Sequence, residues 1–165
     1  THGAYGRKIR DMLRKEKNPE ESSMELVELF INDRNDHLNN TINPFLDNSG
    51  KHETNIVLCD RYYYSTIAFQ GAQGLDIKEL VKMNSKFRKP DISFILDAEP
   101  STALKRIEHR AKEKFEQLEF MKKIRENFLK LPSLLEDNIK IIDSNKGLKE
   151  VFDDIKKEVD RILEP

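Results

Sequence analysis

The chain has 165 residues, a length typical of one domain, and 37% apolar against 36% charged residues indicates a modest core under a highly charged surface. Its 29 Lys and Arg against 30 Asp and Glu give a net charge of -1, which argues against binding to polymeric nucleic acid. The single cysteine, Cys59, excludes an intramolecular disulfide and a cysteine-based zinc site, and it favours a cytoplasmic location. The apolar runs are short, so we expect no membrane-spanning segment.

The first third of the chain has the periodicity of helices. A short helix is expected over residues 7–17. Ser22 and Glu25 have the spacing of a capping box, in which each side chain bonds to the backbone of the other. They open a long amphipathic helix over residues 22–46, whose apolar residues recur at steps of three and four.

The remaining two thirds alternate short apolar runs with helical segments. The runs predict buried strands at 56–59, 92–96 and 139–142, ending at Asp60, Asp97 and Asp143. Helices are expected at 63–70 and 76–87, from Pro100, around 120–131 and from Leu148 to Ile162. This alternation predicts an α/β domain with a parallel sheet, which binds ligands beyond the carboxyl ends of its strands. Taken singly, each aspartate is more typical of a turn or a helix cap than of a ligand-binding residue.

The segment that follows the first predicted strand carries the strongest functional signal. Asp60 and Arg61 come directly after the strand, and three tyrosines follow them. A carboxylate at this place can hold Mg²⁺, and the planar guanidinium of an arginine matches a phosphate. The alternative is an exposed Asp–Arg ion pair, which contributes little to stability.

A second signal lies on the long helix. Phe30 and Arg34 are four residues apart and therefore share a helix face, which is otherwise apolar. Phe30 could stack on a flat ring while Arg34 donates hydrogen bonds to its edge, a combination that suits a nucleobase. Alternatively, Arg34 extends to the rim of the core and keeps its charge in water.

A third signal is a basic run after the second predicted strand. It contains Arg106, Arg110, Lys112 and Lys114, in a stretch that lacks aliphatic residues from Glu108 to Lys114. Such a stretch suits a mobile lid over residues 108–116, which would close cations over phosphates. A solvated helix face of mixed charge explains the same pattern.

Together these segments resemble the thymidylate (dTMP) kinases, in the same order along nearly the whole chain. The matching segments are Leu29–Arg34, Asp60–Tyr62 with Ser65–Gly71, Lys89–Asp97, Lys114–Glu116 and Ile142–Ser144. The resemblance implies a P-loop kinase-like three-layer domain with a parallel sheet. It also implies transfer of the γ-phosphoryl group of ATP to dTMP with Mg²⁺, and a homodimer.

Carried over residue by residue, the resemblance implies an acceptor site in the first half of the chain. Phe30 would stack on thymine, and Arg34 would reach the edge of the base. Arg61 would hold the dTMP phosphate, and Asp60 would order Mg²⁺ and its water. The nucleoside pocket would be lined by Tyr62, Thr66, Phe69 and Gln70.

The donor side is implied in the second half of the chain. Arg106 would pack near adenine, and Ser144 belongs to the loop beside it. Arg110 and Lys114 would be lid cations on the transferring phosphoryl group. Lys114 stands where the family often has arginine, and it supplies a charge without the planar fork.

One family feature is absent from the sequence. No Gly-x-x-x-x-Gly-Lys-[Ser/Thr] loop occurs in the 165 residues, and three strands are expected where the family has five. We therefore expect an N-terminally truncated single kinase-like domain over residues 1–165. The alternative function is a non-catalytic nucleotide-binding remnant, which would bind dTMP without turnover.

Overall fold

The computed structural model describes most of the chain, namely residues 3–15, 22–48, 54–107 and 118–163. The chain divides into two compact units, Thr1–Phe87 and Arg88–Pro165. A single domain over residues 1–165 stays a prediction, and the lid at 108–116 lies outside the described residues. None of the described helices has the length and apolar character needed to cross a membrane.

Every described element of regular secondary structure in the first unit is a helix. Its helices are α1 (Ala4–Lys15), α2 (Ser23–His37), α3 (Asn43–Asp47), α4 (Tyr63–Ala72) and α5 (Ile77–Asn84). Apolar residues of α2, α4 and α5 form the centre of its core. The side chains of Leu26, Val27, Ile67 and Leu80 are at most 1% exposed. Of the apolar stripe predicted on the long helix, Val27, Ile31, Leu38 and Ile42 are buried. Met24 and Phe45 are 43% and 48% exposed.

The start of α2 corrects one sequence prediction. Ser22 precedes the helix at the N-cap position, but its side chain makes no capping hydrogen bond. Its φ of -104° and ψ of 5° differ from the extended conformation that directs a cap hydroxyl at the helix. The first turn is closed by the backbone alone, since the Leu26 amide donates to the Ser22 carbonyl at 3.0 Å. The capping box was wrong.

The long helix expected over residues 22–46 is one helical path with a wider turn in the middle. Residues Leu38–Ile42 form a π-helical segment between α2 and α3. Pro44 lies in the first turn of α3. Proline lacks an amide hydrogen and clashes with the carbonyl four residues earlier in an α-helix. A π-helical turn directly before Pro44 avoids this geometry.

The connection between α4 and α5 is a well-defined turn. Gly74 has a φ of +101°, a conformation that favours glycine. The Leu75 amide donates to the Gln70 carbonyl and the Gly74 amide to the Gly71 carbonyl, both at 3.1 Å. This pattern ends α4 as a Schellman motif. The Asp76 carboxylate then accepts hydrogen bonds from two amides of α5 and begins that helix.

The second unit contains the parallel sheet. Its elements are β1 (Ser93–Asp97), α6 (Pro100–Ile107), α7 (Leu118–Leu134), β2 (Ile139–Asp143) and α8 (Leu148–Leu163). The two strands pair in parallel, with Ser93 opposite Ile139 and Asp97 opposite Asp143. The α/β class with a parallel sheet is therefore confirmed.

The two faces of this sheet carry different helices. Asp97 pairs with Arg125 of α7, whereas Lys140 pairs with Glu158 of α8. Because Asp97 is in register with Asp143, it lies on the face opposite to that of Lys140. Helices α7 and α8 thus pack on opposite faces, and the carboxyl ends of both strands meet at one edge.

The strand predicted at residues 56–59 was wrong. Residues 54–59 have no regular secondary structure, and the described sheet consists of β1 and β2 only. Ile56 is 56% exposed and Leu58 is 92% exposed, so the run is not buried. An apolar run becomes a strand only when a neighbouring strand accepts and donates its hydrogen bonds. No strand among the described residues pairs with this run.

Candidate functional site

In the first unit, one arginine is hydrogen-bonded to neutral side chains. Arg34 of α2 donates from Nη1 to Oδ1 of Asn84 at 2.8 Å and from Nη2 to Oγ1 of Thr66 at 3.0 Å. Its guanidinium carbon lies 5.3 Å from the ring centre of Tyr62 and 5.2 Å from that of Phe87. We call these five residues the Arg34 cluster. Three helical segments and two aromatic rings thus fix one guanidinium group.

The charge of Arg34 persists despite its surroundings. Burial lowers the pKa of the guanidinium to about 10, and the nearby Tyr62 and Asp33 oppose this shift. A pKa of about 10 leaves the group protonated at neutral pH. A guanidinium has five N–H donors and no acceptor, and the hydrogen bonds to Asn84 and Thr66 use two of them. The cluster can therefore orient a cation that still has donors to offer.

Asn84 is the best-buried polar member of the cluster. It is 2% exposed, and its Nδ2 donates to the Leu80 carbonyl at 2.8 Å. Its Oδ1 accepts from Arg34. An amide whose nitrogen faces a carbonyl and whose oxygen faces a guanidinium has one satisfactory orientation. Sequence reasoning missed Asn84 because a single asparagine in an amphipathic helix carries no motif.

A second arginine lies two residues before the first residue of α4. Arg61 has a φ of +66°, the left-handed conformation that side chains other than glycine rarely adopt. Its Nε donates to Oγ of Ser65 at 3.0 Å, and its guanidinium carbon lies 4.6 Å from the ring centre of Phe69. Arg61, Ser65 and Phe69 follow one another at steps of four, so one edge of α4 supports the exposed side chain.

Asp60, directly before Arg61, is exposed at the end of the irregular segment. Among the residues that the structure describes, no group of three or more His, Cys, Asp or Glu side chains could enclose a metal ion. Mg²⁺ in phosphoryl-transfer sites is commonly bound by one or two carboxylates together with substrate phosphates. An exposed single carboxylate beside an arginine fits that arrangement.

The carboxyl edge of the sheet in the second unit is occupied by internal contacts. Arg125 donates from Nε and Nη2 to the two oxygens of Asp97 at 2.7 and 3.0 Å, and its Nη1 lies 2.7 Å from Oε1 of Glu99. These carboxylates raise the pKa of Arg125, chiefly through the hydrogen bond to Asp97. We call Asp97, Glu99 and Arg125 the Arg125 cluster. It is an ion-pair network in which two carboxylates more than offset the charge of one guanidinium.

The loops after β1 and β2 are tied to each other at this edge. Ser144 is 7% exposed, and both its amide and its hydroxyl donate to the Asp97 carbonyl, at 2.8 and 2.9 Å. Asn145 accepts from the Glu99 amide at 2.9 Å and donates to Asp143 from its amide and side chain. These two bonds lower the pKa of the Asp143 carboxyl group. The structure therefore favours a turn role for Asp143.

Comparison with known proteins decides the family. A family model described as thymidylate kinase matches residues 1–155. A probable thymidylate kinase of Archaeoglobus fulgidus is 34% identical over 161 residues, covering 96% of this chain and 76% of that protein. The chain belongs to the thymidylate kinase family.

Two further relatives align with this chain over a similar number of residues. The thymidylate kinase of Desulfotalea psychrophila is 37% identical over 166 residues, covering 99% of this chain and 77% of that protein. A probable thymidylate kinase of Pyrococcus abyssi is 32% identical over 160 residues, covering 94% of this chain and 75% of that protein. The resemblance drawn from the motifs is confirmed.

The structure brings some of the predicted acceptor residues of this thymidylate kinase family member together. Arg34, Tyr62 and Thr66 share the Arg34 cluster, and Arg61 contacts Phe69. Phe30 is half-buried, one helical turn before Arg34. Thr66 is 3% exposed, and its hydroxyl oxygen accepts a hydrogen bond from Arg34. This hydroxyl therefore supports the arginine. Asn84 of α5 and Phe87, which follows that helix, complete the cluster.

Gln70 has a different environment. It is 5% exposed, and its Nε2 donates to Oε1 of Gln73 at 3.2 Å. Its own Oε1 is buried without a hydrogen-bond partner among the described residues. Gln70 and Gln73 thus form a buried pair near the end of α4.

The predicted donor residues fall in the second unit. Arg106 is exposed at the end of α6. The Ser144 hydroxyl donates to the Asp97 carbonyl, so it already has a structural role, and its place near a donor nucleotide stays a prediction. Arg110 and Lys114 lie outside the described residues.

Proposed function

We propose that this chain transfers the γ-phosphoryl group of ATP to dTMP. The proposal rests on membership of the thymidylate kinase family and on relatives described as thymidylate kinases. The observation that carries it within the molecule is the Arg34 cluster. A guanidinium held by neutral partners keeps its net positive charge available to a ligand, whereas carboxylate partners offset that charge.

The Arg34 cluster supports recognition of a pyrimidine that carries a carbonyl group. Arg34 offers only donors, and a thymine edge presents a carbonyl oxygen that accepts them. Phe30, one turn earlier on the same face of α2, would stack on a flat ring. The base would lie against α2, with its carbonyl edge toward Arg34.

Arg61 supports binding of the acceptor phosphate. Its planar fork matches two phosphate oxygens, and Ser65 and Phe69 hold the side chain from one edge of α4. Residues in rare backbone conformations persist where the surrounding structure enforces them, and they concentrate at functional sites. An oxygen of this phosphate would attack the γ-phosphorus as the bond to the β-phosphate breaks, giving dTDP and ADP.

Asp60 is the residue we assign to Mg²⁺. When bound, the ion would supply a positive charge that neutralises the phosphate oxygens. Asp60 would hold the ion or its water through one carboxylate, while Arg61 next to it binds the phosphate. The lid cations Arg110 and Lys114 are proposed to act on the transferring group.

The test is turnover by the chain and its variants. We expect dTDP to form from dTMP, ATP and Mg²⁺, and Arg61→Ala to lower kcat/KM by about 100-fold or more, as removal of a transition-state donor does. The exposed Arg10 of α1 supplies the matched control, since Arg10→Ala should leave turnover unchanged. Near-normal turnover by Arg61→Ala would contradict the assignment. Binding of dTMP without any turnover would favour the non-catalytic alternative.

Phe30→Ala separates binding from chemistry. We expect KM for dTMP to rise with little change in kcat, because stacking on the base is present before and during the reaction. A fall in kcat at unchanged KM would contradict this role.

Two broader proposals accompany the activity. We propose a homodimer, which the molar mass of the chain in solution would test against 19.4 kDa for one copy. We also propose a cytoplasmic location, supported by the family and by a single cysteine, Cys59.

A further inference from the structure

The Arg34 cluster contains one residue whose position in the core has no structural need for a polar group. Asn84 is 2% exposed and lies one helical turn after Leu80, which is 1% exposed and apolar. An apolar residue would fit this face of α5 and would bury no amide. A buried polar side chain at such a position requires an explanation from its partners.

The partners of Asn84 point to Arg34. The Asn84 amide nitrogen is satisfied within α5 by the Leu80 carbonyl, which fixes the orientation of the amide plane. Its oxygen is then presented to Nη1 of Arg34, 50 residues earlier in the chain. The long-range hydrogen bond of the Asn84 side chain therefore joins it to the Arg34 guanidinium.

The same guanidinium is fixed by three other groups. Thr66 accepts from Nη2, and the rings of Tyr62 and Phe87 lie within 5.3 Å of the central carbon. Acceptors on two different nitrogens define the rotation of the fork about its long axis. Neither acceptor alone would do so, because one hydrogen bond leaves the group free to turn about that bond.

We infer that Asn84 is a positioning residue for dTMP, because it orients the Arg34 guanidinium that binds the base. The inference rests on the proposed function and deepens it. Asn84 does not touch the nucleotide; it sets the direction of the donors that do. Preorganised donors bind more tightly because their ordering is complete before the ligand arrives.

The test is the Kd of dTMP for the full chain, measured by calorimetry in a double-mutant cycle. We expect Arg34→Ala to raise the Kd about 100-fold and Asn84→Leu to raise it about tenfold, since Thr66 still holds one side of the fork. In the Arg34→Ala background, Asn84→Leu should cause no further loss, because its effect passes through Arg34. Multiplied losses in the double variant would overturn the inference.

Two further variants separate positioning from folding. Asn84→Gln keeps a neutral amide whose oxygen can accept from Arg34 but adds a methylene to the core, so stability should fall while the Kd stays within about threefold. Asn127, a 7% exposed asparagine of α7 in the other unit, is the matched control. Asn127→Leu should leave the Kd unchanged.

The outcomes distinguish the two proposals. If the wild type binds dTMP and Asn84→Leu has the same Kd, the positioning role is wrong and the proposed function stands. If Asn84→Gln loses affinity as Asn84→Leu does, the residue acts through the fold and the inference is overturned. If the wild type binds no dTMP, the proposed function fails, and this inference fails with it.

Discussion

Arg34 and Arg125 are both held by several side chains, and the character of those side chains separates their roles. Arg34 is hydrogen-bonded to the neutral Asn84 and Thr66 and flanked by rings, and burial lowers its pKa. Arg125 is hydrogen-bonded to carboxylates, which raise its pKa. No carboxylate hydrogen bond offsets the charge of Arg34 among the described contacts, whereas carboxylates offset the charge of Arg125.

This contrast shows why a single arginine on an apolar face is not enough to predict a site. The same guanidinium can join two elements of a fold or can bind a substrate. Its partners decide between these functions, because a carboxylate satisfies both its charge and its donors while a neutral acceptor satisfies only its donors.

The largest expected effect comes from replacing Arg34. Arg34→Met should raise KM for dTMP about 100-fold, since a charged hydrogen bond to the base is lost. The unfolding free energy should change by about 1 kcal/mol or less, because an apolar residue of similar length no longer requires the burial of a charge. Steady-state kinetics and urea denaturation measure the two quantities. A stability loss of about 3 kcal/mol with unchanged KM would reverse the contrast.

The corresponding change at Arg125 should do the opposite. Breaking a fully buried ion pair costs about 3–5 kcal/mol. Because the side chains of Arg125 and Asp97 are 30% and 17% exposed, we expect Arg125→Met to lower the unfolding free energy by about 2 kcal/mol. Urea denaturation is the measurement.

Lys122 supplies the control for Arg125. It lies on the same helix, and its ion pair with Glu119 is exposed on both sides. Lys122→Met should change stability by about 0.5 kcal/mol or less. Equal losses in the two variants would mean that the Arg125 cluster contributes no more than a surface pair.

A smaller effect is expected from the ring of Phe87. Phe87→Leu keeps an apolar side chain in the core but removes the aromatic face beside the Arg34 guanidinium. We expect KM for dTMP to rise about threefold and stability to fall by about 1 kcal/mol. Phe128 of α7 is the control, since Phe128→Leu should lower stability without changing KM. A rise in KM in both variants would assign the effect to general loosening.

The smallest expected effect concerns Asp143. Its hydrogen bonds from Asn145 lower its pKa, so they stabilise the fold above the ordinary carboxyl pKa and are lost as the pH falls through the lowered value. Asn145→Ala removes the side-chain bond and keeps the backbone one, so the pKa of Asp143 should rise partway. An NMR titration of the Asp143 carboxyl carbon measures it. An unchanged midpoint would assign the shift to the backbone amide alone.

The local part of the candidate site could be predicted from the sequence. The spacing of Phe30 and Arg34 placed them on one helix face, whereas the phosphate role of Asp60 and Arg61 stays a prediction. Helix and strand positions in the second unit also followed from periodicity. These predictions depend on residues close together in the chain, where geometry is set by the helix or strand itself.

The long-range part could not be predicted. Asn84 is 50 residues from Arg34, and Arg125 is 28 residues from Asp97. Both pairs depend on how separate helices dock, and no local pattern encodes docking. The run at 56–59 failed for the related reason that a strand requires a neighbour, which lies outside the run itself. The partners that distinguish Arg34 from Arg125 belong to this category.

At position 61, the residue type that we propose for phosphate binding is not the type that the left-handed backbone conformation favours. Glycine adopts this conformation freely, whereas a residue with a side chain pays about 1–2 kcal/mol for it. A library of this chain selected for heat resistance alone should therefore accumulate glycine or asparagine at position 61. Selection for growth that depends on the phosphoryl transfer should restore arginine. The residue found at position 61 should therefore show whether a population of variants was selected for stability or for activity.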